Sequence, residues 1–368
     1  MIIERYIHKE ILHRLLWVTL LLLMIFTTNK FVEYLGDAAA GKIPPDFVLK
    51  FLWLKLLAVQ PEVMPLLIFL AVILAFSRLN QDNELAVLSA AGVGKRQQLK
   101  FVLRFCAVFA VLVAFVAFYA APWAKLNIAK LKLQAWQETN ITGLTAGKFK
   151  ELSKGNSVVY IENLSDTKGI MDNVFLQIMD KGTNSVVKSD SAYFDVDQDT
   201  GNRFIVFENG RRYVGQPGML DYQITEYNKY AVLLEVSESA NEITSTEAAT
   251  TLFLLASKLP VHRAELQWRI SSVILCILLA IFGVLLNQYP FGQKPFTLLL
   301  LGIVIYFLYN NLLGISRTML ERDHISPWIG LWWVHILLIM IIAIMYQYHA
   351  IIRRIKSNNK IHVLPAEK

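Results

Sequence analysis

The chain has 368 residues, of which 55% are hydrophobic and only 18% charged, and its mean hydropathy is +0.43. A soluble domain carries about a quarter charged residues, so this composition excludes an ordinary water-soluble enzyme. The net charge is +7, but the basic excess flanks apolar blocks instead of forming a patch on a polar domain, which excludes a nucleic-acid footprint.

In chain order the apolar blocks are 15–35, 47–77, 99–122, 268–286, 296–315 and 327–346. Each is long enough to cross about 30 Å of hydrocarbon, which predicts six transmembrane helices. The first is too long for the apolar stretch of a signal peptide, and no small-residue cleavage site follows it; it is expected to stay as an anchor. The second is too long for one straight span at about 1.5 Å per residue. Lys50 and Lys55 lie in its first half and Pro61 and Pro65 interrupt it, so 47–59 reads as partly interfacial and the span as starting near Pro61. Cys106 and Cys276 fall singly inside apolar blocks, without the spacing of a disulfide framework or a zinc site, and read as buried thiols.

Between blocks two and three stands LNQDNELAVLSAAGVGKRQQ, residues 79–98. Its GVGK is not a phosphate-binding loop. That loop needs GxxxxGK[ST] between a strand and a helix. Here Arg96 follows Gly94-Lys95, Ser89 stands where the first glycine belongs, and an apolar span precedes. The stretch reads instead as a short helix at about 80–92. Leu85 and Leu88 repeat at helical spacing, Asp82 and Glu84 sit at the positive end of the helix dipole, and Gly92 is placed to stop it. Interfacial helices favour Lys and Arg on their polar face. An acidic start suits an Arg-bearing protein partner, and an ordinary interfacial helix fits equally well.

After block three, 125–137 is an amphipathic helical run, and then the period changes. Short strands are predicted at 157–161, 173–179, 192–196, 203–207 and 220–224. They are separated by turn signals: KGN at 154–156, KGTN at 181–184, DQDTGN at 197–202, ENG at 208–210 and QPG at 216–218. This spacing predicts an antiparallel all-β domain, a sandwich or jelly roll, within the insert 123–267. Asn209-Gly210 is a two-residue hairpin signal. It puts Arg211 and Arg212 on opposite faces of the next strand, as one contact for an anionic ligand or as solvated edge charges. Residues 242–263 read as a helical return to block four.

The short connections set orientation. One set, 1–14, 78–98, 288–295 and the basic tail 347–368, holds about four times as many Lys and Arg as the opposite set, 36–46 and 316–326. Both termini and the 79–98 stretch are therefore expected in the cytoplasm, and the insert on the other side. The insert holds fifteen Lys and Arg against eighteen Asp and Glu.

Near the outer ends of the spans a few polar residues stand out. Lys30 lies about 7 Å inside block one by the helical rise; snorkelling suits it, and so does pairing with Glu33 at i,i+3. Asn310 and Asn311 lie at a similar depth in block five, where adjacent amides face protein or a cavity; an interhelical hydrogen bond serves equally. Arg317 sits just above them, as an interfacial anchor or part of the same zone. No Ser/His/Asp set or metal spacing converges, Glu62 reads as an interfacial charge beside Pro61, and ERDH at 321–324 reads as a solvated outer loop.

The MIIERY start, the L-x(3)-NELAVLSAAG segment, the six-span layout with one β-rich insert after span three, and AELQWRIS at 264–271 together resemble the LptF/LptG family of permease subunits of the lipopolysaccharide exporter. MIIERY and AELQWR are more similar to its LptF branch. The resemblance implies an inner-membrane subunit without catalysis of its own, paired with an LptG-like second permease. It further implies two copies of an LptB-like ATPase that carry the ATP and Mg, an LptC-like single-span protein, an LptA-like periplasmic bridge, and lipopolysaccharide as cargo. It makes the 79–98 helix the coupling helix, with Glu84 meeting an ATPase arginine and Leu85 and Leu88 as apolar anchors. It gives Lys30 a lipid A phosphate to bind, although this chain has Glu33 where the family often has a second basic residue. Spans one and five form lateral gates in the family, so Asn310, Asn311 and Arg317 fall in a headgroup zone. The competing reading from the residues is a membrane scaffold or sensor whose β-domain binds a ligand and signals through the cytoplasmic helix.

Overall fold

The computed structural model describes residues 2–40, 43–142, 147–152, 157–164, 170–180, 183–196, 203–215, 223–235, 246–288 and 295–361. They form two compact units. One comprises Met1–Thr28, Lys55–Ala124 and Ala249–Lys368, the other Asn29–Leu54 and Lys125–Ala248.

The helices are α1 Ile2–Ala39, α2 Val48–Gln81, α3 Glu84–Ala90, α4 Lys95–Phe115, α5 Ala121–Thr142, α6 Thr251–Ala256, α7 Pro260–Leu286, α8 Pro295–Glu321 and α9 Trp332–Ile361. Five helical stretches are long and apolar enough to cross a membrane, and α9 adds a shorter apolar stretch, Trp332–Gln347. Two apolar clusters hold the first unit together. Ile7 and Ile11 of α1 pack with Ile68 and Phe76 of α2, Val102 of α4 and Val284 of α7. Phe69 and Ile73 of α2 pack with Leu279 of α7, Leu313 of α8 and Val334 of α9. Helices α2 and α7 contribute to both and form its centre.

Helix α2 runs unbroken through Pro61 and Pro65. Four residues apart, the two prolines put their defects on one face of the helix, where packed membrane helices tolerate them. Phe47 and Phe51 are buried with Leu131 and Ala135 of α5 in the second unit, so protein covers one face of this segment, while Leu49 and Trp53 stay exposed.

Helix α4 passes into α5 through one π-turn, Val116–Ala120. Pro122 explains it: proline has no N–H to give the carbonyl four residues back, here Phe118. That carbonyl accepts a 2.6 Å hydrogen bond from the Thr251 hydroxyl, which itself accepts from Arg269 Nη1 at 3.0 Å. The segment returning from the insert is thus stitched to a defect in the third span. Thr251→Val keeps the shape but removes both bonds. It is expected to lower stability by about 1–3 kcal/mol, visible as an earlier thermal unfolding midpoint of the purified protein.

In the second unit six strands form one antiparallel sheet in chain order: β1 Phe149–Leu152, β2 Ser157–Leu164, β3 Met171–Asp180, β4 Thr183–Val196, β5 Arg203–Gly215 and β6 Gln223–Glu235. The described strands are a meander; a jelly roll would place non-consecutive strands side by side. The turn signals KGN, DQDTGN and QPG, the first two residues of KGTN, and residues 220–222 of the last predicted strand lie outside the described residues.

The hairpin expected at Asn209-Gly210 is not one, because β5 runs straight through it. Asn209 does take the left-handed conformation the signal calls for (φ 52°), but only Asn209 does, whereas the two-residue turn needs both residues there. Pairing with β4 on one side and β6 on the other outweighs the local preference. Apart from a register shift at Arg203/Phe204, the ladder skips one position in every strand pair from β2 to β6, and the residues skipped there, Glu162, Asn173, Asp190, Asn209 and Asn228, form a line across the sheet. Asn173 is also left-handed (φ 50°). This crease shifts the inward parity by one. Ile205 and Phe207 face inward before it, and Gly210 and Arg212 after it. Met171, Val174, Leu176, Val187, Ala192 and Phe207, drawn from both sides of the crease, join one buried cluster.

Candidate functional site

At one end of the first unit the sequence brings the starts of α1 and α4, the end of α2, and α3 together. Helix α3 spans Glu84–Ala90, within the 80–92 expected. Asp82 and Asn83 separate it from α2, and Asn83 is left-handed (φ 59°), a conformation that asparagine accepts cheaply. The stop is at Gly92 (φ 87°): Val93 N–H bonds the Leu88 carbonyl at 2.8 Å and Gly92 N–H the Ser89 carbonyl at 3.1 Å. This is the double closure that glycine permits past a helix end.

No residue of α3 is buried, yet its side chains divide. Leu85 and Leu88, half-buried, pack on the chain's own apolar cluster, while Val87 is 67% exposed. Glu84 is held within the chain. Its Oε1 accepts from Arg78 Nη2 at 3.0 Å and its Oε2 from the Tyr6 hydroxyl at 2.6 Å. Arg78 Nη1 donates to that same hydroxyl at 3.1 Å, closing a triangle. The carboxylate beside it holds the Tyr6 hydroxyl above its usual pKa. Arg78 also meets Asp82 at 2.9 Å and Glu10 at 3.3 Å. Nearby, Arg104 bonds Glu4 at 2.7 Å and keeps that carboxyl below its usual range. Arg78 and Tyr6 escaped the sequence reading, which took Arg78 only as an orienting charge; the Arg78–Asp82 spacing of four was the one local signal.

At the opposite end of the first unit AELQWRIS lies inside α7, and its polar residues each hold a different element. Glu265 and Arg269, 2% and 4% exposed, pair at 2.9 Å. Glu265 also pairs with Arg317 of α8 at 3.0 Å. Arg269 Nη2 donates to the Ala249 carbonyl. Gln267 donates to the Pro327 carbonyl at 2.7 Å and accepts from Leu331 N–H at 3.0 Å. Ser271 lies 2.9 Å from Nε2 of His335, whose Nδ1 lies 2.5 Å from the Tyr309 hydroxyl. This buried chain joins α7, α8 and α9.

Arg317 is therefore not an open interfacial charge. It is paired with Glu265 and with Glu321 at 2.7 Å, and it stacks over Trp268 at 5.2 Å. Glu321 is still helical, so ERDH is not wholly a loop. Asn310 and Asn311 do line an open groove along α8, of about 660 Å³, with Gly314, Thr318, Arg322 and His324. The basic side chain in that groove is Arg322. In the second unit Lys30 pairs with Glu33 at 2.6 Å. On the sheet Arg211 meets Glu226 at 2.8 Å on the outside. Arg212 turns inward, 3.0 Å from the Ser185 hydroxyl and over the Tyr230 ring. Among the described residues no cluster of metal-ligating side chains occurs.

The family described as lipopolysaccharide export system permease LptF/LptG matches residues 5–348. The chain is 26% identical over 361 residues to the lipopolysaccharide export system permease protein LptF of Escherichia coli K12. The same figures hold for those of Escherichia coli O157:H7 and Shigella flexneri, with 97% of this chain and 98% of each relative covered.

Proposed function

Because the chain belongs to the LptF/LptG family of lipopolysaccharide export system permeases, we propose that it is the non-catalytic transmembrane subunit of an ABC-type exporter. In this reading it extracts lipopolysaccharide from the outer leaflet of the inner membrane and passes it to a periplasmic bridge. It pairs with an LptG-like permease, two LptB-like ATPases, an LptC-like protein and an LptA-like bridge. ATP and Mg stay on the ATPase, and this chain binds no cofactor. The apolar stretch of α9 serves as the sixth span, both termini face the cytoplasm, and the creased antiparallel sheet forms the periplasmic domain.

The observation that carries the coupling role is α3, an exposed acidic helix capped by Gly92 between two membrane-spanning helices. Glu84 has both oxygens engaged within the chain, but a carboxylate offers about four lone-pair sites, so it can accept an arginine from the ATPase without releasing Arg78. Val87 supplies the apolar contact. For the cargo, Lys30 and the groove at Asn310, Asn311 and Arg322 suit lipid headgroup phosphates. Arg317, locked between two carboxylates, supports the groove's wall. Arg212, on the inner face of the sheet, is the better placed of the two adjacent arginines for an anionic cargo.

Solubilised complexes carrying Glu84→Ala are expected to lose copurifying ATPase, or to keep it and lose lipopolysaccharide release, while mass spectrometry of the wild type finds the ATPase and bound lipid. Normal association and transport in that variant, or recovery of the wild-type chain as a lone homo-oligomer, would overturn the reading.

A further inference from the structure

The covalent joint between α2 and α3 is slight. It consists of Asp82 and left-handed Asn83, the Asn83 side chain makes no capping bond, and none of the seven residues of α3 is buried. A push on α3 would be absorbed by this joint unless side-chain contacts fixed the helix. Leu85 and Leu88 pack one face of it on the apolar cluster, and the triangle of Arg78, Tyr6 and Glu84 ties its first turn to α1 as well as to α2.

The α1 side of that attachment is firm. Ile7 and Ile11, which follow Tyr6 and stand one helical turn apart, are 0% exposed. His8 Nε2 lies 2.8 Å from the Phe101 carbonyl, and Glu4 is held by Arg104. Arg78 suits the joining position because its planar guanidinium presents five donors in a fixed fork. Nε serves Asp82, Nη1 serves Tyr6 and Glu10, and Nη2 serves Glu84. Glu10 is fixed in turn by Arg14 at 3.0 Å. Any one of these partly exposed pairs alone would be weak. Closing on a single guanidinium, they share the cost of ordering it. From Tyr6 the same helix continues without a break to Ala39 and carries Lys30.

We propose that Arg78 is the positioning residue of the docking helix: through Tyr6 and Glu84 it clamps α3 to α1, so that force applied to α3 reaches span one directly. The inference rests on the reading that α3 docks the ATPase, but the clamp itself is testable without one.

Spin labels at Lys9→Cys and Ala86→Cys, both exposed positions, report the α1–α3 distance in the full permease complex; Cys106 and Cys276 are buried. In the ATPase-free complex the distance distribution is expected to be narrow, to broaden in Arg78→Gln, and to recover in part in Arg78→Lys. Tyr6→Phe, which removes one hydroxyl from the surface, tests the same link where Arg78→Gln folds poorly. With the ATPase bound, lipopolysaccharide released per ATP hydrolysed is expected to fall about three- to thirty-fold in Arg78→Gln, more than ATPase association falls. An unchanged distance distribution in both Arg78→Gln and Tyr6→Phe overturns the clamp. So does broadening with an unchanged ratio of transport to hydrolysis. Should Glu84→Ala dock and transport normally, the docking reading fails, while the label distances still decide whether the clamp exists.

Discussion

Glu265→Ala is expected to be among the most damaging single substitutions in the membrane part, costing about 3–5 kcal/mol, the usual result of removing one partner from a buried ion pair. Glu265 is 2% exposed and lies between two guanidinium groups, Arg269 of its own helix and Arg317 of α8. Without the carboxylate, two positive charges face each other across α7 and α8 in a setting where solvent screens little. The loss is expected as reduced accumulation in membranes and a lower unfolding midpoint for what is purified. Replacing Glu265 and Arg269 together by glutamine should cost less than the two single losses added, because the partners form one network. Full additivity would show that the two residues do not act as one network, and a wild-type midpoint for Glu265→Ala that the carboxylate contributes nothing.

Gly210→Val is the second. A Cβ at 210 would fall on the Lys188 carbonyl oxygen and against the Tyr227 hydroxyl and ring. The closest of these is backbone in a neighbouring strand, so it cannot move aside as a flexible side chain would. Overpacking of this kind costs about 1–3 kcal/mol. The site is also where the ladder skips and where the Ser189 hydroxyl reaches the Glu208 carbonyl at 2.5 Å. Limited proteolysis of the full chain is expected to show cleavage within the insert at lower protease concentration than in wild type, with the membrane helices unaffected. Equal resistance would mean that the crease tolerates a side chain.

These two sites mark the boundary of what the sequence makes legible. The apolar blocks, the short acidic helix and its glycine stop are local patterns, and the helices formed close to where they were expected. The strand-rich insert was also legible as a class. The strands themselves proved longer than their alternating cores, because the crease breaks the alternation: Phe207 and Gly210 face the same way three residues apart. Asn209 carried a true local signal, a left-handed residue, but whether that makes a turn or a bend depends on neighbours on both sides. Arg78 and Tyr6 are 72 residues apart, and no local spacing joins them. The same holds for Gln267 and Pro327, 60 apart. Arg317 was read by its depth alone and turned out to be committed to Glu265. Leu85 and Leu88 had the right spacing for an apolar stripe, but spacing does not say whether the stripe faces partner or core.

The meander has a consequence for how the chain is made. Every strand of the sheet pairs with its neighbour in sequence, so the ladder closes only short loops and has low contact order. Among the described strands, none lies beyond Glu235. Domains generally fold as units while synthesis proceeds, so the sheet can be finished while α7, α8 and α9 are still unmade. The Glu265 cluster has the opposite character, since its third member, Arg317, arrives only with α8. The ribosome therefore delivers the six described strands of the sheet before it delivers the helices that complete the membrane unit.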